Sequence, residues 1–266
     1  YGVRYSMLFN PYAADNTIMV FDPEAFNPAL GNDPCNGLLQ VPGETFCQDA
    51  GFSGGIEGPN RSLYPEDRNN FAPRLGVAWD PTGAAKSVLR AGLGVFYVRE
   101  RLSPGLNIGG NPPFRVLRTG IRKLDSAEEP CPGCFANSSG VPTAGREQRA
   151  AIPHNWQWNV MFQHELLRNT TLEVGYVGNK GDDLLKTHDA NQVRVGDRNN
   201  NGIQDRIEYA RLGPGIASAV RPFGIFGDNR ITLWDHAGES MYHSLQSQVI
   251  SRFGRGSHFQ ASYTLS

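Results

Sequence analysis

Phe71-Ala72-Pro73-Arg74-Leu75-Gly76-Val77-Ala78-Trp79-Asp80 and, after the turn Pro81-Thr82-Gly83-Ala84-Ala85-Lys86, Ser87-Val88-Leu89-Arg90-Ala91-Gly92-Leu93-Gly94-Val95-Phe96-Tyr97-Val98 form the most informative stretch of the chain. Phe71, Pro73, Leu75, Val77 and Trp79 alternate with Ala72, Arg74, Gly76, Ala78 and Asp80. After the turn, Leu89, Ala91, Leu93, Val95 and Tyr97 fall on one face and Arg90, Gly92 and Gly94 on the other. Successive side chains of a strand point to opposite faces, so this period of two predicts a β-hairpin with one apolar side. The other side is polar or closely approached by its neighbours.

The unit recurs on either side of this hairpin. Tyr1 to Phe9 alternates in the same way. In Asn155 to Leu166, Trp156, Trp158, Val160, Phe162 and Leu166 oppose Asn155, Gln157, Asn159, Gln163 and Glu165. The turn Leu167-Arg168-Asn169 leads into Thr170 to Gly178, with Leu172, Val174 and Tyr176 apolar. A last hairpin pairs Met241 to Phe253 with Ser257 to Ser266 across Gly254-Arg255-Gly256. Thr17 to Phe21 has the composition of one further short strand.

The connections alternate between long and short. Long loops are expected at about 10–70, 99–154 and 179–240, with tight turns between them. Loops of this length are uncommon inside compact domains. An up-and-down antiparallel sheet places them all at one end, which is the asymmetry of outer-membrane barrels. Trp79, Leu166 and Phe253 beside the short turns sit where an interfacial girdle belongs. The expected fold is therefore all-β: about seven strands of an incomplete antiparallel up-and-down transmembrane β-barrel, with long external loops and short periplasmic turns. Residues 1–266 all belong to that single domain. A soluble sandwich, with its apolar faces meeting in a core, is the competing reading.

Composition fits a turn-rich β-protein, with 31 glycines, 18 prolines and 19% charged residues. A net charge of −1 provides no basic surface for nucleic acid. No apolar run is long enough for a membrane helix, although a spanning strand needs only about ten alternating residues. The chain begins at Tyr1 without methionine or signal peptide and stops at Ser266 within an alternating run, as expected of a piece of a longer protein.

The four cysteines lie in the long loops. Cys35–Cys47 and Cys131–Cys134 are the simplest disulfides, suited to an oxidising setting. A four-thiolate zinc site is the rival, but only Cys131-Pro-Gly-Cys134 has knuckle spacing. Free thiols are the third option.

The third long loop contains Asp197-Arg198-Asn199-Asn200-Asn201-Gly202-Ile203-Gln204-Asp205-Arg206-Ile207-Glu208, which fits a twelve-residue calcium loop. Asp197, Asn199, Asn201, Asp205 and Glu208 would supply side-chain oxygens, Ile203 a carbonyl, and Gly202 the sharp turn. Residues 190–195 do not read as an entering helix, and Ile207 to Leu212 allow only a turn or two of exiting helix. An isolated, calcium-stapled external loop is expected rather than a sensor, with a solvated turn cluster as the alternative.

Catalytic signals are sparse. His154, His164, His243 and His258 are scattered, and no nucleophile elbow, zincin motif or phosphate loop occurs. His164 and His243 fall on apolar faces and read as interfacial residues. No enzyme is expected.

Several strings, taken together, resemble the barrel of TonB-dependent outer-membrane receptors, nearest the Oar-like branch. They are Asn69 to Trp79, Val88 to Tyr97, Trp158-Asn159 with Gln163, Leu172 to Gly181, and Tyr242-His243-Ser244-Leu245-Gln246. The resemblance implies a barrel of about 22 strands, closed by an N-terminal plug and energised through TonB. It also implies a bacterial outer-membrane location, contact with outer-membrane lipid and import of a bulky substrate. The plug and TonB box have no counterpart in these residues, so the chain is expected to be an internal part of the barrel. A secreted, calcium-stabilised sandwich binding a glycan or protein is the alternative. An all-β hydrolase would need a carboxylate pair in a cleft.

Overall fold

A computed structural model describes residues 1–99, 108–114, 141–198 and 200–266. Its strands are β1 (Gly2–Tyr5), β2 (Met19–Phe21), β3 (Leu38–Gln40), β4 (Ile56–Glu57), β5 (Phe71–Trp79) and β6 (Ser87–Tyr97). They continue with β7 (Ala144–Arg146), β8 (His154–Leu167), β9 (Thr170–Asp189), β10 (Thr232–Arg252) and β11 (His258–Leu265).

β1, β5, β6, β8, β9, β10 and β11 form an antiparallel meander in which each strand pairs with the next. Among the described residues, β1 and β11 each have one neighbour, so this wall is an open segment of a barrel. The register lines up one apolar rung through Val77, Ala91, Val160, Tyr176, Leu245 and Leu265. The opposite face carries Ala78, Arg90, Met161, Gly175, Gln246 and Thr264 one step away. Leu75, Val77 and Tyr263 remain more than half exposed. A sandwich would cover such a face with a second sheet; here it faces outward.

The tight turns gather at one end. Asp80 closes the first by accepting from the N–H groups of Thr82, Gly83 and Ala85. Asn169, at φ 68°, provides the left-handed residue of the second.

At the other end the strands outrun their sequence pattern. β9 continues past Gly178 to Asp189, and β10 begins at Thr232 rather than Met241. The third connection is therefore 190–231, shorter than the expected 179–240. The added segments pair with each other. At the start of β10 alternation is lost because both sides are covered: adjacent Leu233 and Trp234 are both buried.

What covers them is a cap made from the long connections. β7 runs parallel to Thr232–Trp234 of β10, β2 joins β7, and β3 and β4 follow. β7 and β2 meet so closely that a Cβ on Gly145 would lie 2.2 Å from the Phe21 carbonyl oxygen. The short strand expected near Thr17–Phe21 is β2. The cap holds most of the buried core: Met19, Phe21, Leu38, Phe223, Phe226 and Ile231 in one cluster, Val20, Leu39, Leu63 and Trp234 in another.

Candidate functional site: polar face, cap junction and loop 197–208

On the polar face of the wall, Gly92 and Gly94 of β6 leave a dent between larger neighbours. Arg74, Phe96, Gln157, Asn159, Asn179 and Tyr242 surround an open cavity of about 480 Å³. The Arg74 guanidinium lies 4.6 Å from the centre of the Phe96 ring, a cation–π contact. Below the dent, Arg90 donates to Gln163 at 2.9 Å. These amide, guanidinium and aromatic groups can hydrogen-bond and stack against a hydrated solute. The apolar face carries the histidines as expected: His243 lies 2.6 Å from the Tyr176 hydroxyl, and His164 lies 2.8 Å from the Ser87 hydroxyl.

The cap is fastened to the wall by groups without a sequence signature. Buried Asn111 donates to the carbonyls of Met19 and Ala144 and accepts from the N–H groups of Thr143 and Ala144. Asn191 does the same at the end of β9, donating to Gly227 and Asn229 and accepting from Phe223. Each side chain replaces a short piece of sheet ladder where the irregular backbone has none.

His236 of β10 is buried beside Tyr64, with its Nδ1 2.9 Å from the hydroxyl. The Tyr64 hydroxyl donates to the Arg149 carbonyl, so it accepts from Nδ1. The Arg146 guanidinium stacks 3.5 Å over the Tyr64 ring. Burial, then the charges of Arg146 and Arg149, push the His236 pKa down to about 4. Arg149 also donates to the His236 carbonyl and, at 2.8 Å, to Asp183 of β9. One group of side chains thus ties two long loops to two wall strands.

In the third connection, Asp197 accepts from the N–H of Asn201 (3.1 Å) and of Gly202 (2.7 Å). Asn201 accepts from the Ile203 N–H and donates to Glu208 at 2.9 Å. Gly202 has φ 82° and Asn200 φ 53°, the left-handed turns such a loop requires. A two-turn helix, Asp205–Leu212, leaves the loop, as its sequence allowed. Asp205 is fully buried, and its Oδ1 accepts from the Arg198 N–H. Asn199 lies outside the described residues. Among the described residues, no three His, Cys, Asp or Glu side chains converge at metal-ligand spacing.

Cys35 and Cys47 form a disulfide within the cap. That pairing is the expected one and removes both from any zinc site. Cys131 and Cys134 lie outside the described residues.

A family model described as an outer membrane beta barrel domain matches residues 1–266. No curated protein matches the chain. Among solved structures, it is similar to the outer membrane transporter YddB from Escherichia coli. Identity is 16% and the TM-score 0.39, over 73% of this chain and 20% of that one. It is also similar to the siderophore receptor PirA from Pseudomonas aeruginosa, with 14% identity and TM-score 0.38 over 74% of this chain and 28% of that one. The chain spans less than a third of either structure.

Proposed function

The chain belongs to the outer membrane beta barrel domain family, and from that premise we propose that it forms part of the wall and external cap of a TonB-dependent, Oar-like importer of bulky solutes. The barrel lies in the bacterial outer membrane. Its apolar face meets lipid and its polar face lines the interior. From Ser240–Gly181 to Ser251–Thr170, β10 and β9 pair without a register shift. That is about the length a strand tilted by roughly 45° needs to cross the membrane. Trp156 on β8 marks the outer end of the apolar face, and Trp79, Leu166 and Phe253 mark the turn end.

The observation that carries the import reading is the dented polar face beneath a cap with its own core. A wall serving only as an anchor would need neither a hydrogen-bonding interior face nor a built external cover. The strings that resemble Oar-like receptors support the finer assignment.

In the native bacterium, loss of this protein and loss of TonB function are expected to abolish uptake of the same bulky nutrient. The protein is expected to resist alkaline carbonate extraction and to shift its gel mobility on boiling. Uptake that persists without TonB overturns the import reading, and release by carbonate overturns the wall itself.

A further inference from the structure

We infer that the dent on the polar face is a subsite for an uncharged, hydroxyl-rich solute, a segment of a neutral oligosaccharide, held by Gln157, Asn159, Asn179 and Tyr242. The inference rests on the import reading and names the class of solute. Strand register builds the subsite. Arg74, Gly94, Gln157, Asn179 and Tyr242 stand in one row across five strands. In the next row toward the turns, Gly92 lies opposite Asn159. Gly92 and Gly94 have no side chains to fill the floor, so the amides stand at the edge of a hollow of about 480 Å³. Small-molecule sites span roughly 300–1,000 Å³, so the hollow takes a short segment of a bulky solute rather than the whole of it.

Charge narrows the chemistry first. Arg74 is the one charged side chain lining the hollow, and its guanidinium lies against the Phe96 ring. The flanking rows, from Gly76 to Ser244 and from Phe96 to Ser240, carry no charge. Toward the turns, the first carboxylate in register on this face is Glu173, opposite Gln163. A cationic solute would lose water here without gaining a counter-charge, and a multiply anionic one would find a single guanidinium.

The uncommitted polar groups narrow it further. Among the described residues, the side-chain amides of Gln157, Asn159 and Asn179 and the Tyr242 hydroxyl make no hydrogen bond to one another or to a neighbour. Gln157, Asn159 and Tyr242 are exposed, and Asn179 is half-buried. Gln163, lower on the same strand, is instead taken up by Arg90. A carboxamide presents donors and an acceptor in one plane, and a sugar hydroxyl both donates and accepts, so one amide can engage two adjacent hydroxyls. Tyr242, beside Asn179, adds an aromatic ring for the C–H face of a sugar and a polar tip. Neighbouring strands lie about 4.8 Å apart, so Gln157, Asn179 and Tyr242 repeat at roughly the length of one sugar ring.

The test uses the whole protein, purified from outer membranes in detergent and titrated by calorimetry. The probes are malto-, cello-, xylo- and manno-oligosaccharides of about six units, an end-capped uncharged peptide of similar length, oligolysine and a ferric tris-catecholate. At least one neutral saccharide is expected to bind, and the peptide, the polycation and the iron complex to bind weaker by about tenfold or more. Asn159→Ala and Asn179→Ala should each weaken saccharide binding about three- to tenfold, and Tyr242→Ala about tenfold, with heat-dependent gel mobility unchanged. Gln248→Ala, on the same face nearer the turns, should leave binding unchanged. Binding of none of the four saccharides, tighter binding of the peptide, polycation or iron complex, or unchanged affinity in all three subsite variants would each overturn the assignment. The import reading fails separately. TonB-dependent uptake of a charged or peptidic nutrient would overturn the saccharide and keep the importer, whereas saccharide binding with uptake that persists without TonB would do the reverse.

Discussion

The wall and the cap use the same apolar side chains under opposite rules. In the wall, Leu75, Val77, Val160 and Leu245 face outward, more than a third exposed, and lipid completes their surroundings. In the cap, Met19, Phe21, Leu38 and Ile231 are fully buried in one cluster, and the Cys35–Cys47 disulfide closes the loop that carries Leu38. The wall borrows its core from the membrane, whereas the cap must build one. The wall should therefore be sensitive to polarity at its surface, and the cap to volume in its interior.

The sharpest contrast is expected from Phe21→Ala. Phe21 meets Phe223 edge-on at 5.1 Å and Phe226 at 6.4 Å. Truncating it should cost the cap roughly 3–5 kcal/mol. Proteolysis within the long loops should rise while heat-dependent gel mobility is retained. Loss of the heat shift would mean that wall and cap unfold as one unit.

Val160→Arg reverses the experiment. A cation at mid-height on the lipid face costs roughly 2–4 kcal/mol. The yield of membrane-inserted protein should fall, whereas Val160→Leu should leave it unchanged. Normal insertion of the arginine variant would place that face toward water.

Acid separates the regions differently. His236 is held neutral with a pKa of about 4, below its ordinary 6.5. From pH 6.5 down to 4 the unfolded chain takes up a proton that the folded junction does not. Stability is therefore complete above 6.5 and declines as pH falls through this window, by roughly 3 kcal/mol at most. Hydrogen exchange around Tyr64 and Arg149 should quicken between pH 6.5 and 4 while the membrane-spanning strands stay protected. Replacing His236 with Gln should flatten that dependence.

Asn111→Ala should cost about 1–3 kcal/mol by leaving backbone groups of β2 and β7 unpaired, read as faster loop proteolysis. Gln163→Ala, on the interior face, should shift wall stability by no more than about 0.5 kcal/mol.

The same contrast explains what could be read from the sequence. Every spanning strand of the wall shows a period of two, β1 included, because one of its faces meets lipid and the other does not; β1 itself stops at Tyr5, short of the expected Phe9. The cap strands have two or three residues, too few for a period, and Ala144-Gly145-Arg146 is buried throughout. The start of β10 lost its pattern because the cap covers both sides, as Leu233 and Trp234 demonstrate. Loop 197–208 was legible as a string of oxygen-bearing residues at fixed offsets. The burial of Asp205 was not, since it arises from contacts that close only in three dimensions. Asn111, Asn191 and His236 were missed for the same reason: each is defined by backbone groups distant in sequence.

β10 carries two register faults, between Asp235 and Gly238 and between Gly238 and Ser240. Gly238 sits so tightly against β9 that a Cβ would lie 2.6 Å from the Leu184 carbonyl oxygen. These faults mark the boundary between the membrane-crossing ladder and the portion that carries the cap. An extra or missing residue at such a joint is absorbed there and does not propagate down the strand to turn every lipid-facing side chain inward. Exterior segments of different length and shape can therefore be exchanged above the joint, by evolution or by an engineer, while the span below keeps its alignment.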